Sequence, residues 1–178
     1  MDVFVVTRPD YFEGEAQRIN QLFRNGMQVL HIRKPGNDPA AFRQLMKEIE
    51  PVFYDRIVIH QHHELAAAFS LIRLHYPEKK RPLAGALGKM KDAGYILSTS
   101  IHDLSALKDC AAYDYVFYGP VFNSISKPGY ESVLADDFTL PVREVGPQLI
   151  AIGGITLSKL QILKDMNFDG AALLGAVW

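Results

Sequence analysis

The chain holds a single cysteine, Cys110, among 178 residues. No intramolecular disulfide can form, so the fold must rest on its core, and the composition fits a reducing compartment. No apolar run approaches the roughly 20 residues of a membrane-spanning helix. The segment Met1-Asp-Val-Phe-Val-Val-Thr7 lacks the basic start and the long apolar stretch of a secretory signal, and reads as a first strand. A cytoplasmic location is the expectation. An excess of charge of either sign is also lacking: 19 basic against 20 acidic residues leave a net charge of −1. Without a strong field, neither nucleic acid nor an anionic membrane is an expected partner. Linkers and low-complexity stretches are missing too. With 48% hydrophobic residues, one domain over residues 1–178 is the expectation.

What is present is a rhythm. Short apolar runs, several ending in glycine, alternate with helix-length segments, the pattern of buried parallel strands. Eight strands are predicted: Asp2–Thr7, Gln28–Arg33, Arg56–His60, Leu71–His75, Tyr95–Ser98, Asp114–Gly119, Gln148–Ile152 and Gly170–Leu174. Between them, Gly14–Asn25 carries Ala16, Ile19, Leu22 and Phe23 at helical spacing. Asp38–Glu50 opens with a capping Asp and a Pro in the first turn. Leu157–Met166 follows Thr156 as N-cap. The fourth connection, Tyr76–Gly94, is rich in Lys, Gly and Pro and gives the weakest helical signal. The fold class is therefore α/β, a (β/α)8 barrel, with a doubly wound open sheet as the alternative. At 178 residues it is short for a barrel, which takes about 200 or more. The eighth helix is expected to be reduced or missing, leaving strands one and eight thinly covered, and a homodimer could cover them.

Barrel enzymes draw their chemistry from the carboxyl ends of strands. The glycines of Gln148-Leu-Ile-Ala-Ile-Gly-Gly-Ile155 and Asp169-Gly-Ala-Ala-Leu-Leu-Gly175 end the last two strands. Bare amides there make a phosphate cradle, so a phosphorylated small molecule is the expected ligand. Four of the six His fall near strand ends: His31, His60, His75 and His102. A His is the side chain best suited to accept and return a proton near neutrality. Arg33 and Lys34 close strand two and suit an anionic substrate. The loop holding Ser124, Ser126 and Lys127 can bind phosphate oxygens with hydroxyls and one charge. In His60-Gln61-His62-His63, strand alternation would put His60 and His62 on one side, a pair that could suit a zinc hydrolase. Such a site would want a carboxylate or more His from other strand ends, and few candidates are evident, so no metal site is expected.

Taken in order, His31-Ile-Arg33, Ser100-Ile-His102, Asp114-Tyr-Val-Phe-Tyr-Gly-Pro-Val-Phe122, Ser124-Ile-Ser-Lys127, Ala151-Ile-Gly-Gly-Ile155 and Gly170 to Gly175 resemble the thiamine phosphate synthase/TenI family. The resemblance spans nearly the whole chain and implies a barrel acting on thiazole phosphate. It implies that Gly153, Gly154 and Gly175 hold the phosphate, that Ser124, Ser126, Lys127 and Arg33 face the pyrophosphate of a pyrimidine diphosphate, and that His31 is a substrate-binding position. His102 would be the acid–base residue. The departures matter. His31 stands where synthases have Gln. His60-Gln61-His62 stands where they have Asn-Asp-Arg, so a magnesium-binding Asp is gone. Tyr76-Pro-Glu-Lys-Lys80 offers no aligned second Asp, with Glu78 nearby but out of place. The resemblance therefore implies first a TenI-like thiazole tautomerase needing no cofactor. The alternative is a synthase that joins the pyrimidine diphosphate to thiazole phosphate, using Mg2+ and releasing pyrophosphate. A binding protein without turnover is the third reading.

Overall fold

A computed structural model describes residues 1–123 and 138–178. Eight parallel strands close into a barrel in sequence order, each paired with its two neighbours and the last with the first. They are β1 (Asp2–Val6), β2 (Val29–Ile32), β3 (Ile57–Ile59), β4 (Arg73–Tyr76), β5 (Ile96–Ile101), β6 (Tyr115–Tyr118), β7 (Gln148–Ile152) and β8 (Gly170–Leu173). The closed barrel agrees with the expected fold class and excludes the open sheet.

Alternation along each strand divides the side chains into two sets. One set packs under the surrounding helices and turns: Val5, Leu30, Ile32, Ile57, Ile59, Leu74, Leu97, Val116, Leu149, Ala151 and Ala171. The other fills the lumen, where Phe4, Val6, Tyr115, Phe117, Ile150 and Ala172 form an inner cluster. The barrel is thus plugged rather than hollow, and small molecules can reach it only at its two mouths.

The α-helices are α1 (Glu15–Arg24), α2 (Pro39–Glu48), α3 (Ala84–Asp92) and α4 (Leu160–Asp165). α1 buries Ala16, Ile19 and Phe23, the spacing read from the sequence. Asp38 caps α2 as expected, accepting from the amides of Ala40 at 2.9 Å and Ala41 at 3.0 Å. α2 stops before Glu50, because the residue ahead of Pro51 is pushed out of the helical region. The weak fourth connection does hold a helix, α3. The predicted helix Leu157–Met166 divides into a 3-10 turn, Leu157–Lys159, followed by α4. Its expected N-cap makes no side-chain bond to the backbone; Thr156 Oγ1 instead lies 2.9 Å from Ser158 Oγ. After β3 and β5 the connections are 3-10 turns. After β8 the chain makes one turn, with the Val177 amide on the Leu174 carbonyl at 3.2 Å. Trp178 then donates its indole N–H to the Val6 carbonyl at 2.7 Å and lies edge-on to Phe12. No helix among the described residues is long and apolar enough to cross a membrane.

Candidate active site

The carboxyl-end mouth gathers residues from the ends of several strands. β5 runs to Ile101, three residues beyond the predicted end, so His102 is the first residue after it and Ser98 and Ser100 both lie in the strand. His102 is exposed, and its Nδ1 sits 2.7 Å from the Gly119 carbonyl at the end of β6. A carbonyl only accepts, so Nδ1 carries the proton in the neutral ring and Nε2 keeps a lone pair. The ring is thereby held in the tautomer that a base requires.

The loop after β6 is bound to the end of β7. The amide of Val121 donates to Ile152 at 2.9 Å and that of Phe122 to Gly153 at 3.1 Å. This contact requires glycine in β7's loop. Gly153 has φ 99° and an added Cβ would lie 2.8 Å from Pro120; Gly154 has φ 63° and its Cβ would lie 2.5 Å from the Asn123 carbonyl. A positive φ and a Cβ inside van der Waals contact both select against a side chain. The amides of Gly153, Gly154 and Gly175 have no backbone acceptor among the described residues. Such bare N–H groups at the last two strands are what an anion needs. Ser124, Ser126 and Lys127 lie outside the described residues.

The two cations at the end of β2 part company. Arg33 is half-buried and stands close enough to oppose protonation of His60 and His75. Lys34, expected beside it facing an anionic substrate, is only 1% exposed. Its Nζ donates to the Arg8 carbonyl at 3.0 Å, the Asp10 carbonyl at 2.7 Å and Glu15 Oε1 at 2.6 Å. It ties the loop after β1 to α1 and takes no part in the mouth.

Beneath the mouth, three histidines missed as a group by sequence reading meet in the lumen. His31 from β2, His60 just past β3 and His75 from β4 each offer a ring nitrogen within 4.8 Å of the other two. His31 Nδ1 lies 3.0 Å from His60 Nε2, and its Nε2 lies 2.9 Å from the Tyr115 hydroxyl. His75 stacks on His60 at 4.0 Å, and its Nδ1 and Nε2 each lie 2.9 Å from a hydroxyl, of Ser98 and Ser100 respectively. Burial, with the neighbouring imidazoles and Arg33 adding to it, holds His60 well below the ordinary His range. Burial likewise depresses His31, with His75 and Arg73 adding, and brings His75 down to about 3. All three rings are neutral at pH 7. The signal available in the sequence was parity: His31, His60 and His75 occupy inward positions on successive strands.

The pair expected on one side, His60 and His62, does not form. β3 ends at Ile59 and His62 turns left-handed at φ 60°, so strand alternation no longer applies. His62 lies against Phe42 and 3.5 Å from Glu64. Carboxylates near the mouth are engaged elsewhere: Asp10 with Arg8, Glu15 with Lys34, Asp38 and Asp103 as caps. Glu78 opens the 3-10 turn Glu78–Lys80. At the opposite, amino-terminal mouth a cavity of about 450 Å3 is lined by Asp2, Phe4, Gln28, Arg73, Tyr115 and Gln148 among others, and Tyr115 is also the hydroxyl partner of His31.

A family model described as thiamine monophosphate synthase (TMP-TENI) matches residues 3–177. Thiamine-phosphate synthases of Clostridium tetani and Syntrophomonas wolfei are 25% and 24% identical, each over 98% of this chain and 87% of the relative. A solved thiamine phosphate pyrophosphorylase of Bacteroides thetaiotaomicron is 26% identical with a TM-score of 0.75, over 100% of this chain and 85% of that one. One from Pyrococcus furiosus, 16% identical with a TM-score of 0.77 over 99% and 86%, shares the fold. The chain belongs to the thiamine monophosphate synthase (TMP-TENI) family.

Proposed function

We propose that this chain is a thiamine-biosynthesis enzyme that grips thiazole phosphate through the bare amides of Gly153, Gly154 and Gly175. The family match over residues 3–177 carries that reading. The sequence alone ranked proton transfer ahead of coupling; the names of the relatives favour the reverse order. The first reaction to test is therefore the joining of a pyrimidine diphosphate to thiazole phosphate with release of pyrophosphate. Magnesium, which that chemistry ordinarily uses, prefers carboxylate and phosphate oxygens. The described mouth offers engaged carboxylates, a lone Glu78 and imidazole nitrogens. The donor set of the described residues does not fit that ion. Arg33 is the cation best placed to meet a pyrophosphate.

A second reading, thiazole tautomerisation, has one observation in its favour. The Gly119 carbonyl fixes the tautomer of His102 and leaves Nε2 as a base. The phosphate anchor would aim the ring at Nε2, which would take a proton from one ring position and return it at another. Nothing in that cycle needs a metal.

Both reactions can be assayed on one preparation. Coupled product in a magnesium titration establishes the synthase; none at any magnesium level excludes it. For the second reading, His102→Ala is expected to slow tautomerisation by about a hundredfold or more, and an unchanged rate rejects that role. Tight thiazole phosphate binding by calorimetry with neither turnover would leave a binding protein.

A further inference from the structure

Three imidazoles occupy lumen positions that barrels of this class fill with branched aliphatic side chains. His31 and His75 are essentially inaccessible, and Ser98 beside them is fully buried. Polar groups so placed cost free energy unless something meets all their capacity. We propose that His31, His60 and His75 form a three-imidazole site for a borderline divalent transition metal such as Zn2+, with its fourth position open to the carboxyl-end mouth.

The geometry supports the site in four ways. First, the nitrogens converge. Zinc–imidazole bonds of about 2.0–2.1 Å set a tetrahedral N···N edge of roughly 3.4 Å. The His31–His60 pair, at 3.0 Å, is slightly inside that spacing, and the full set stays within 4.8 Å. To ligate through Nε2, His75 exchanges the Ser100 hydroxyl for the metal. Second, the donor type is right: nitrogen ligands with no carboxylate suit zinc and its neighbours rather than magnesium or calcium. Third, outer partners are in place. With His31 Nδ1 on the metal, Nε2–H donates to the Tyr115 hydroxyl, and Ser98 Oγ stands ready for the Nδ1–H of His75. Metal-bound histidines ordinarily donate their second N–H in this way. Fourth, there is an entry. His60 is only half-buried, so the cluster is reached past it from the mouth.

Arg33 works against a bare cation, since its charge already opposes protonation of His60 and His75. The same charge selects the fourth ligand. It favours an anion on the metal, a hydroxide or a phosphate oxygen, over neutral water. The site rests on the lumen histidines alone and stands or falls apart from the reading of thiazole chemistry.

The test uses the full chain, freed of any affinity tag, stripped with chelator and titrated with Zn2+ against a competing chromophoric chelator. Co2+ replaces Zn2+ in a parallel titration read by visible absorption. One equivalent per chain is expected, with the visible bands of a four-coordinate cobalt site. His60→Ala is expected to weaken binding by about a hundredfold or more, since loss of an outer partner alone costs 10–100-fold. His102→Ala, outside the cluster, is expected to bind as the parent does. His60 is half-buried, so its truncation leaves the core intact; an unchanged metal-free melting curve confirms this, and His75→Asn serves as the second variant. Binding below one equivalent, or affinity unchanged in both His60→Ala and His75→Asn, overturns the proposal.

Discussion

The fate of Lys34 shows how one residue can be read correctly for charge and wrongly for place. Its ammonium lies over the Tyr11 ring at 4.6 Å and bonds Glu15 at 2.6 Å. Burial opposes the charged form of both partners, lowering the Lys34 pKa and raising that of Glu15, although each helps the other. Glu15 Oε2 is buried and has no hydrogen-bond partner among the described residues. Such a pair adds little net stability, yet breaking one half strands the other. Lys34→Met is therefore expected to cost about 3–5 kcal/mol in urea unfolding. Adding Glu15→Leu to it is expected to recover most of that loss. A double variant as unstable as the single one would show that the pair itself stabilises the fold.

The strands were the most legible elements, because burial on both faces, lumen and outer shell, makes each a short continuous apolar run. β7 matched its predicted span, Gln148–Ile152, and the other seven were found with shifts at their ends. Connections were less legible. Leu104–Cys110 and His63–Leu65 form 3-10 turns whose short runs carry no helical periodicity to read. Of the site, the glycines at the end of β7 and the strand-end position of His102 could be seen in the chain. The meeting of His31, His60 and His75 was signalled only by parity; that their rings reach one another depends on the register of β2, β3 and β4, which the chain does not spell out. The β6–β7 junction can be tested at this scale. Gly154→Ala places a methyl 2.5 Å from the Asn123 carbonyl at φ 63°. The expected loss is at least about 1–3 kcal/mol, read as a lower urea midpoint at constant slope. A midpoint equal to the parent's would mean that the loop repacks freely.

Barrel closure gives the whole molecule a divided mouth. β3 and β7 stand four strands apart in a ring of eight, so the imidazole cluster and the glycine amides face one another across the lumen. One side presents glycine amides with no backbone acceptor among the described residues; the other keeps three uncharged imidazoles near Arg33. That second side makes folding depend on pH in a definite direction. In unfolded chains His titrates near 6.5, whereas His75 in the barrel is brought down to about 3. Between those values the unfolded chain binds more protons than the folded one, so stability rises with pH. The contribution is fully present above about pH 6.5 and drains away as the pH falls toward 3. Each such imidazole contributes a slope of up to about 1.4 kcal/mol per pH unit. In chelator-treated protein, urea midpoints are expected to fall steadily from pH 6.5 to pH 5, above the range where ordinary carboxylates titrate. His60→Ala is expected to flatten that slope by removing one of the three depressed groups. A flat profile in the parent would mean that the rings keep their protons in the fold, contrary to their burial among Phe117, Tyr115 and one another.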